Sequence, residues 1–250
     1  MIKIKNADEI EKIRRSSRIV AEVLKELEPQ IKEGISTLDI DKIAEDLLIK
    51  KGAQPAFKGY RGYPSATCLS VNEEVVHAIP NVRQLKNGDV LSVDVGALCD
   101  GYYGDGAISV MIGQVPKKVE KLVKTTKAAL QAGIKQARCG NHLGDISHAI
   151  EKTAQKAGFT VVRDLFGHGI GKELHEDPLI PNFGEPHKGP VLLAGMVFAI
   201  EPMLNMGTHR IVTKEDGWTI VTEDSKVSVH FEHTILITSG NPEILTKVLS

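Results

Sequence analysis

The chain carries the same order of helix-like and strand-like segments twice, and this repetition constrains its fold more than any other feature. In the first half, apolar residues recur at helical spacing over residues 7–27, and a second helix is predicted between a cap at Ser36 and a stop at Gly52. Segments rich in Val, Tyr and Gly follow, as is typical of strands and turns. They cover residues 66–71, 89–95 and 101–111.

The second half repeats this order at a nearly constant offset. A shift of 109 residues places Glu11 on Glu120, and a shift of 106 places Gly52 on Gly158. The strand-like segments of this half are residues 195–201, 209–213, 218–222 and 227–237. The repetition predicts an α/β (α+β) fold whose antiparallel, pseudo-twofold sheet core is covered by two pairs of helices. Because no Pro-rich or Gly/Ser-rich linker separates the halves, we expect one domain over residues 1–250, with halves of about 1–115 and 116–250.

Four carboxylates lie within the apolar strand-like segments: Asp94, Asp105, Glu201 and Glu232. Acidic residues are almost never fully buried unless they are paired. One such acid alone favours a place on the solvated face of a strand, whereas four together favour a shared pocket. Asp94 and Glu201 are 107 residues apart, close to the offset between the halves, so we expect them to face each other across the pseudo-twofold axis.

A pocket with four carboxylates would carry a charge of about −4, which a low-dielectric site does not tolerate without cations. Two divalent metal ions would balance that charge. Carboxylate oxygens with one or two imidazoles suit Mn, Fe, Co or Zn, and such ions turn a bound water into a strong nucleophile at neutral pH.

The candidate imidazole is His168, because the glycines on either side of it let the backbone approach its surroundings closely. A glycine-rich phosphate loop is the alternative for this segment. That alternative is weak, because Lys172 is followed by Glu173 and no strong helix pattern comes next. His77 and His175, taken alone, favour surface or supporting positions. His230 and His233, which flank Glu232, are interpreted as neighbours of the site rather than ligands.

Charge and hydropathy exclude several classes of protein. The 31 Lys and Arg nearly balance 32 Asp and Glu, so no bulk attraction to nucleic acid is implied. The apolar runs are far shorter than the roughly 20 residues that cross a bilayer, and the N-terminus lacks the apolar stretch of a secretory signal. We therefore expect a cytoplasmic protein without membrane segments. Its three cysteines, without CxxC spacing, are interpreted as reduced thiols.

An ordered series of motifs resembles the type I methionine aminopeptidases over nearly the whole chain. The motifs are residues 70–77, 92–96, 101–105, 167–171, 175–178, 200–203 and 231–234. The resemblance implies the pita-bread fold, a pseudo-symmetric α/β domain with two metal ions at its centre. It implies as metal ligands the residues already singled out: Asp94, Asp105, His168, Glu201 and Glu232. His77 and His175 fall on the substrate-contacting histidines of that family.

Other families of the same fold match less well. Proline-specific peptidases typically carry a sizeable N-terminal domain and Glu-Pro-Gly at the fourth ligand, where this chain has Glu201, Pro202 and Met203. Type II methionine aminopeptidases carry a helical insertion between the last two ligand motifs. Only 30 residues separate Glu201 from Glu232, which leaves no room for that insertion. A modest departure from the type I pattern is Ala78, where the family usually has Gly after the first histidine.

The resemblance implies hydrolytic removal of the initiator methionine from nascent proteins, with a preference for a small second residue. Glu201 is then expected to accept the proton of the nucleophile, and His77 and His175 to donate hydrogen bonds to the reacting amide and oxyanion. The implied methionine pocket consists of Phe57, Tyr60, Tyr63, Cys68, Leu174 and Trp218.

The alternative is a non-catalytic peptide-binding protein on the same fold, which would be expected to have lost metal ligands. All five are present in this chain. The implied partners are the N-terminal Met of nascent polypeptides and, transiently, the ribosome, without specific recognition of nucleic acid. We expect the protein to be a monomer.

Overall fold

The computed structural model of the chain describes residues 2–247. The α-helices of this part of the chain are α1 (Ala7–Leu27), α2 (Thr37–Lys50), α3 (Lys117–Gln136) and α4 (Leu143–Ala157). The strands of the first half are β1 (Gln54–Pro55), β2 (Thr67–Val71), β3 (Glu74–Val76), β4 (Val90–Cys99) and β5 (Tyr102–Met111). The strands that follow α4 are β6 (Thr160–Val161), β7 (Phe166–Gly169), β8 (Glu176–Pro181), β9 (Val197–Ile200), β10 (Met203–Asn205), β11 (Ile211–Thr213), β12 (Ile220–Thr222), β13 (Ser228–His230), β14 (Glu232–Leu236) and β15 (Glu243–Ile244).

Side chains that accept hydrogen bonds from backbone amides cap the N-termini of α1 and α2. The Asn6 side chain accepts a hydrogen bond from the Glu9 amide while the Glu9 carboxylate accepts one from the Asn6 amide, each at 3.0 Å. At the start of α2 the Ser36 hydroxyl accepts a hydrogen bond from the Asp39 amide at 3.1 Å. The helix predicted over residues 7–27 is thereby confirmed at both ends.

Nine strands form one sheet, and every strand pair recorded in it is antiparallel. Its order is β1, β4, β5, β14, β9, β7, β8, with β2 beside β4 and β15 beside β14. Two small sheets lie outside it, β13–β10–β6 and β11–β12–β3. The helix and sheet content agrees with the predicted mixed α/β fold.

The strand predicted over residues 227–237 is wrong in one respect, because it is divided at Phe231. Its first part, β13, pairs with β10 in a small sheet, whereas its second part, β14, pairs with β5 and β9 in the large one. Strands β7 and β8 were not anticipated, and β7 contains the glycines on either side of His168 that had suggested a phosphate loop. Within residues 2–247 no helix follows His168, so the structure does not support that alternative.

The helices cover one face of the large sheet. Val93 and Val95 of β4 pack into a core with α1 and α2, and Phe198 of β9 and Ile235 of β14 pack into a core with α3 and α4. Side chains alternate between the faces of a strand. Asp94 and the other even-numbered residues of β4 therefore project from the face that the helices leave uncovered.

Gly104 sets how closely α1 approaches the sheet. A Cβ atom at this position would collide with the backbone of Ser16 and Ser17. The Ser16 hydroxyl, fully buried, donates a hydrogen bond to the Tyr102 carbonyl oxygen at 2.8 Å. Helix and strand therefore touch through backbone atoms at this point.

The described residues contain no helix that is both long and apolar enough to cross a membrane. The cysteines are unpaired, with Cys68 and Cys99 buried and Cys139 exposed. The prediction of free thiols agrees with this arrangement.

Candidate metal centre

The strand registers bring the four acids onto one face of the sheet in two adjacent rows. Residues paired directly across an antiparallel ladder project from the same face. The first row contains Asp94, Ala107, Glu232 and, one residue beyond the end of β9, Glu201. The second row contains Asp105, Thr234, Ala199 and His168. Residues separated by up to 138 positions in the sequence thus converge on one site.

Burial raises the pKa of each of the four carboxyl groups. The pKa of Asp94 is raised to about 7 by loss of solvent. Loss of solvent is also the main cause for Asp105, and the nearby charges of Glu232 and Asp94 raise its pKa further. The pKa values of Glu201 and Glu232 are raised in the same way, first by burial and then by neighbouring carboxylates. Each group favours its neutral form unless a cation is present.

The residues present fit a cationic group at the centre. Oδ1 of Asp94 and Oε1 of Glu232 are buried and make no hydrogen bond within the described residues. Asp105, His168 and Glu232 each direct one potential ligand atom to a common point, with these atoms within 4.8 Å of one another. Buried polar atoms without partners are rare. A divalent cation is the group that such a set of oxygen and nitrogen donors accommodates.

His168 is held in the form that binds metal. Its Nδ1 lies 2.9 Å from the Gly169 carbonyl oxygen, which only accepts, so Nδ1 carries the proton. The free electron pair on Nε2 therefore faces Oε1 of Glu201 at 3.6 Å and Oδ2 of Asp105 at 4.0 Å. Burial lowers the pKa of His168 to about 4, so the ring is neutral at neutral pH. A free electron pair next to carboxylate oxygens is repulsive unless a proton or a metal ion lies between them.

The glycines beside His168 have the close-approach role predicted for them. A Cβ atom on Gly167 would lie 2.5 Å from the Ala199 carbonyl oxygen, and one on Gly169 would collide with the Asp177 carbonyl oxygen. Only glycine lets β7 fit between β9 and β8 at this point.

His230 lies closer to the centre than the sequence indicates. Its side chain is buried, and its Nε2 makes no hydrogen bond within the described residues. The same atom lies 3.8 Å from Oε2 of Glu201 and 3.8 Å from Oε2 of Glu232, too far for a hydrogen bond. Burial lowers the pKa of His230 to about 3. In the sequence, the signal for this position of His230 is that it lies two residues before Glu232 in an apolar segment.

His77 and His175 lie at the same cavity as the carboxylates. The His175 ring is 4.4 Å from the His168 ring, centroid to centroid. Burial, together with His168, Arg61 and His77, lowers the pKa of His175 to about 3. Burial also lowers the pKa of His77, which has a left-handed backbone (φ +58°) that is uncommon outside glycine. Both rings are neutral hydrogen-bonding groups rather than cations.

One cavity of about 320 Å³ adjoins the centre. All the predicted metal-ligand and pocket residues line it, together with Arg61 and Leu179, which sequence reasoning missed. On its apolar side Trp218 meets Tyr63 edge-on, with ring centroids 5.1 Å apart. The Tyr63 hydroxyl is held by the carbonyl oxygens of Thr67 and Ala78, each at 3.0 Å. The cavity therefore has an apolar aromatic wall and a carboxylate floor.

Comparison with known proteins finds a matching family model and relatives that are similar over nearly the whole chain. The model of the metallopeptidase family M24 matches residues 11–239. A protein named methionine aminopeptidase from Clostridium acetobutylicum is 49% identical over 247 residues, which cover 98% of this chain and 99% of that protein. One named methionine aminopeptidase 1 from Bacillus subtilis is 48% identical, with 99% of this chain and 100% of that protein covered.

Solved structures agree with these sequence matches. The crystal structure of a methionine aminopeptidase from Thermotoga maritima has a TM-score of 0.98 and 48% identity, covering 99% of this chain and 100% of that one. A prolidase from Pyrococcus furiosus has a TM-score of 0.80 at 24% identity, and this chain covers only 66% of it. The prolidase shares the fold alone. The predicted pita-bread fold is confirmed by these likenesses.

Proposed function

The chain belongs to metallopeptidase family M24, and from this premise we propose that it removes the N-terminal methionine from nascent proteins and peptides, as type I methionine aminopeptidases do. The observation that carries the proposal is the set of four buried carboxylates and one neutral imidazole at the floor of an apolar cavity. No observation favours the alternative of a non-catalytic peptide-binding protein.

Asp94, Asp105, His168, Glu201 and Glu232 hold two divalent metal ions, drawn from Co, Mn, Fe or Zn. Two such ions balance the four negative charges that burial otherwise disfavours. When bound, the ions polarise the carbonyl of the first residue and lower the pKa of a water molecule so that it can act as the nucleophile. The carboxylates fix the positions of these ions, and His168 contributes its Nε2.

Glu201 accepts the proton of the nucleophile and returns it to the leaving amine. Its side chain is 14% exposed, against 2% for Glu232 and 6% for Asp105. It is the residue that follows the end of β9, and it is the most exposed of these three carboxylates. As a carboxylate that lines the cavity, it can both take up and release a proton.

His77 and His175 donate hydrogen bonds to the reacting amide and to the oxyanion that develops on its carbonyl oxygen. Both rings are neutral, so each offers one N–H and one acceptor nitrogen. Donors aimed at the developing charge in a site that excludes water contribute strongly to rate.

The methionine side chain occupies the apolar part of the cavity. Its walls are Phe57, Tyr60, Tyr63, Cys68, Leu174 and Trp218. Cys68 pairs across the ladder with Asp94, so the apolar wall begins directly beside the metal ligands. An unbranched thioether fits such a pocket of aromatic and sulfur-containing groups.

The enzyme acts as a single catalytic domain and as a monomer. It acts in the cytoplasm, where nascent chains carry their first methionine. Its contact with the ribosome is transient. Its substrate is the N-terminal Met of the polypeptide.

The test is hydrolysis of a matched peptide panel by metal-reconstituted protein. Met-Ala and Met-Gly peptides are expected to be cut well, whereas Leu-Ala and Met-Lys peptides are cut at least about tenfold less efficiently in kcat/KM, the ratio in which side-chain fit is expressed. Chelation should abolish the reaction, and Mn, Fe or Co should restore it. Equal kcat/KM across the panel, or full activity in metal-stripped protein, contradicts the proposal.

A further inference from the structure

We propose that Tyr60 is a positioning residue whose hydroxyl donates a hydrogen bond to Nδ1 of His175 and thereby directs the N–H at Nε2 of that ring toward the substrate. The inference rests on the proposed function and adds to it a residue that sets which nitrogen of His175 carries the proton. Tyr60 then contributes to rate through His175, in addition to forming part of the cavity wall.

The contact between the two residues is short and specific. The Tyr60 hydroxyl oxygen lies 2.8 Å from Nδ1 of His175. The ring centroids are 5.3 Å apart and the rings are tilted by 39°, so the hydroxyl reaches the edge of the imidazole. The two residues are 115 positions apart in the sequence, and only the fold brings them together.

Tyr60 is held firmly enough to fix a neighbour. It begins a 3-10 turn (Tyr60–Gly62), in which its amide donates to the Phe57 carbonyl oxygen at 2.9 Å and its carbonyl oxygen accepts from the Tyr63 amide at 3.0 Å. Gly59 and Arg61 both have left-handed backbones, with φ of +83° and +50°. The turn directs the phenol ring into the cavity, which Tyr60 lines.

The groups around His175 determine whether the Tyr60 hydroxyl donates or accepts in its hydrogen bond with Nδ1. A neutral imidazole has one N–H and one acceptor nitrogen, and a phenol can serve as donor or acceptor. With Nδ1 occupied by Tyr60, Nε2 is the nitrogen left to interact with a ligand in the cavity, which His175 lines. The floor of that cavity is formed by carboxylates, and the substrate presents a carbonyl oxygen there. An N–H at Nε2 is attracted to these oxygens, whereas a free electron pair is repelled.

The position of the His175 backbone is secured separately. The next residue, Glu176, accepts hydrogen bonds from the amides of Lys172 at 3.0 Å and Glu173 at 3.3 Å, and it pairs with the buried ammonium of Lys5. Removal of the Tyr60 hydroxyl should therefore leave the loop in place and change only the proton position on the ring.

The first experiment is Tyr60→Phe, which keeps the ring and removes the hydroxyl. Since one hydrogen bond to the reacting group is weakened, kcat for a Met-Ala peptide should fall about tenfold, and KM should change by less than about twofold. The matched control is Tyr102→Phe. It removes a phenol hydroxyl that bonds the Glu9 carboxylate at 3.2 Å, away from the cavity, and it should leave kcat unchanged.

The second measurement is the tautomer itself, read from the 15N chemical shifts of His175 in histidine-labelled protein, assigned by comparison with His175→Ala. The wild type and Tyr102→Phe should show the proton on Nε2, and Tyr60→Phe a mixture of the two tautomers. A proton on Nδ1 in the wild type overturns the inference. This measurement needs no substrate, so it stands even where hydrolysis of Met peptides is absent and the proposed function fails.

A double-mutant cycle distinguishes a positioning role of Tyr60 from a role in which Tyr60 only lines the pocket. If Tyr60 acts through His175, then Tyr60→Phe has no further effect on kcat in the His175→Ala background. An undiminished tenfold loss in that background shows that Tyr60 acts on the substrate directly and overturns the inference.

Discussion

We expect the neighbouring rings of His168 and His175 to carry their protons on different nitrogens. Nδ1 of His168 faces a carbonyl oxygen, so its Nε2 keeps a free electron pair for a cation. Nδ1 of His175 faces the hydroxyl of Tyr60 instead, which leaves Nε2 to donate. The rings are only 4.4 Å apart. In the proposed function, the partner of each Nδ1 is what separates the expected metal ligand from the expected hydrogen-bond donor.

Substitution of the two histidines should therefore separate metal binding from chemistry. His175→Ala should keep its bound metal and lose kcat on the order of 100-fold, because an interaction strongest in the transition state is removed. His168→Ala should lose metal as well as activity. Metal stoichiometry by elemental analysis, measured beside kcat, distinguishes the two. An equal drop in bound metal for both variants would show that His175 is also a ligand.

At the scale of elements, the N-terminal segment holds the loop that carries His175. The ammonium of Lys5 and the carboxylate of Glu176 form an ion pair in which both side chains are 4% exposed. The Lys5 amide also donates to the Gly195 carbonyl oxygen at 2.8 Å. Residues before α1 are thus joined to the first residue of β8 and to the loop before β9.

Lys5→Met should destabilise the protein and loosen this loop. Breaking a buried ion pair by removal of one partner costs about 3 kcal/mol, since the other charge stays buried. Amide hydrogen exchange in residues 171–176 should accelerate in the same variant. Lys3→Met is the matched control, because Lys3 reaches the same carboxylate at 3.4 Å but is 57% exposed, and its loss should change the free energy of unfolding by less than about 0.5 kcal/mol. Equal losses in the two variants would contradict a special role for Lys5.

The packing of α1 against β5 gives a second prediction at this scale. Gly104→Ala places a methyl group against the backbone of Ser16 and Ser17, which cannot rotate away. We expect a loss of about 3 kcal/mol in the free energy of unfolding, measured by urea denaturation. Gly106→Ala, in the same strand, meets side-chain atoms rather than backbone, a Val20 methyl group at 3.3 Å and the Thr246 side chain at 3.5 Å, and should cost clearly less. Similar costs for both substitutions would show that α1 shifts easily on the sheet.

For the whole molecule, the carboxylate cluster links stability to pH and to metal. In the metal-free protein the folded-state pKa values of the four acids lie above their unfolded values of about 4. The folded state therefore binds more protons than the unfolded state, and stability falls as pH rises through the folded pKa values. The buried histidines act oppositely below about pH 6.5, because their pKa values are lowered.

We therefore expect the metal-free protein to lose stability as the pH rises from about 6.5 to 8.5, where the histidines no longer offset the carboxyl groups. Bound divalent ions replace the protons that the carboxylates otherwise need, so the Mn-loaded protein should be more stable and nearly independent of pH on the alkaline side. Urea unfolding at four pH values between 6 and 8.5, with and without Mn, measures both effects. Parallel pH profiles for the two forms would contradict a metal site built from these acids.

Features that depend on neighbours a few residues apart can be predicted from the amino-acid order alone. Caps and periodicity set both ends of α1, because a helix is closed by bonds between residues three or four apart. Acids within apolar runs indicated a buried charged site, since burial of a carboxylate is costly wherever it occurs. The motif order implied the family, which the relatives confirm. The division of the chain near residue 115 and the roles of individual site residues stay predictions.

Contacts between distant groups are known only from the folded structure. The break at Phe231 arises because β13 and β14 join different sheets, and no local pattern at that residue records this. The position of His230 against the carboxylates and the contact of Tyr60 with His175 follow from strand register and loop packing. Lys5 and Glu176 are 171 positions apart. Such contacts depend on how all the elements pack together, so they become visible only when the chain is folded.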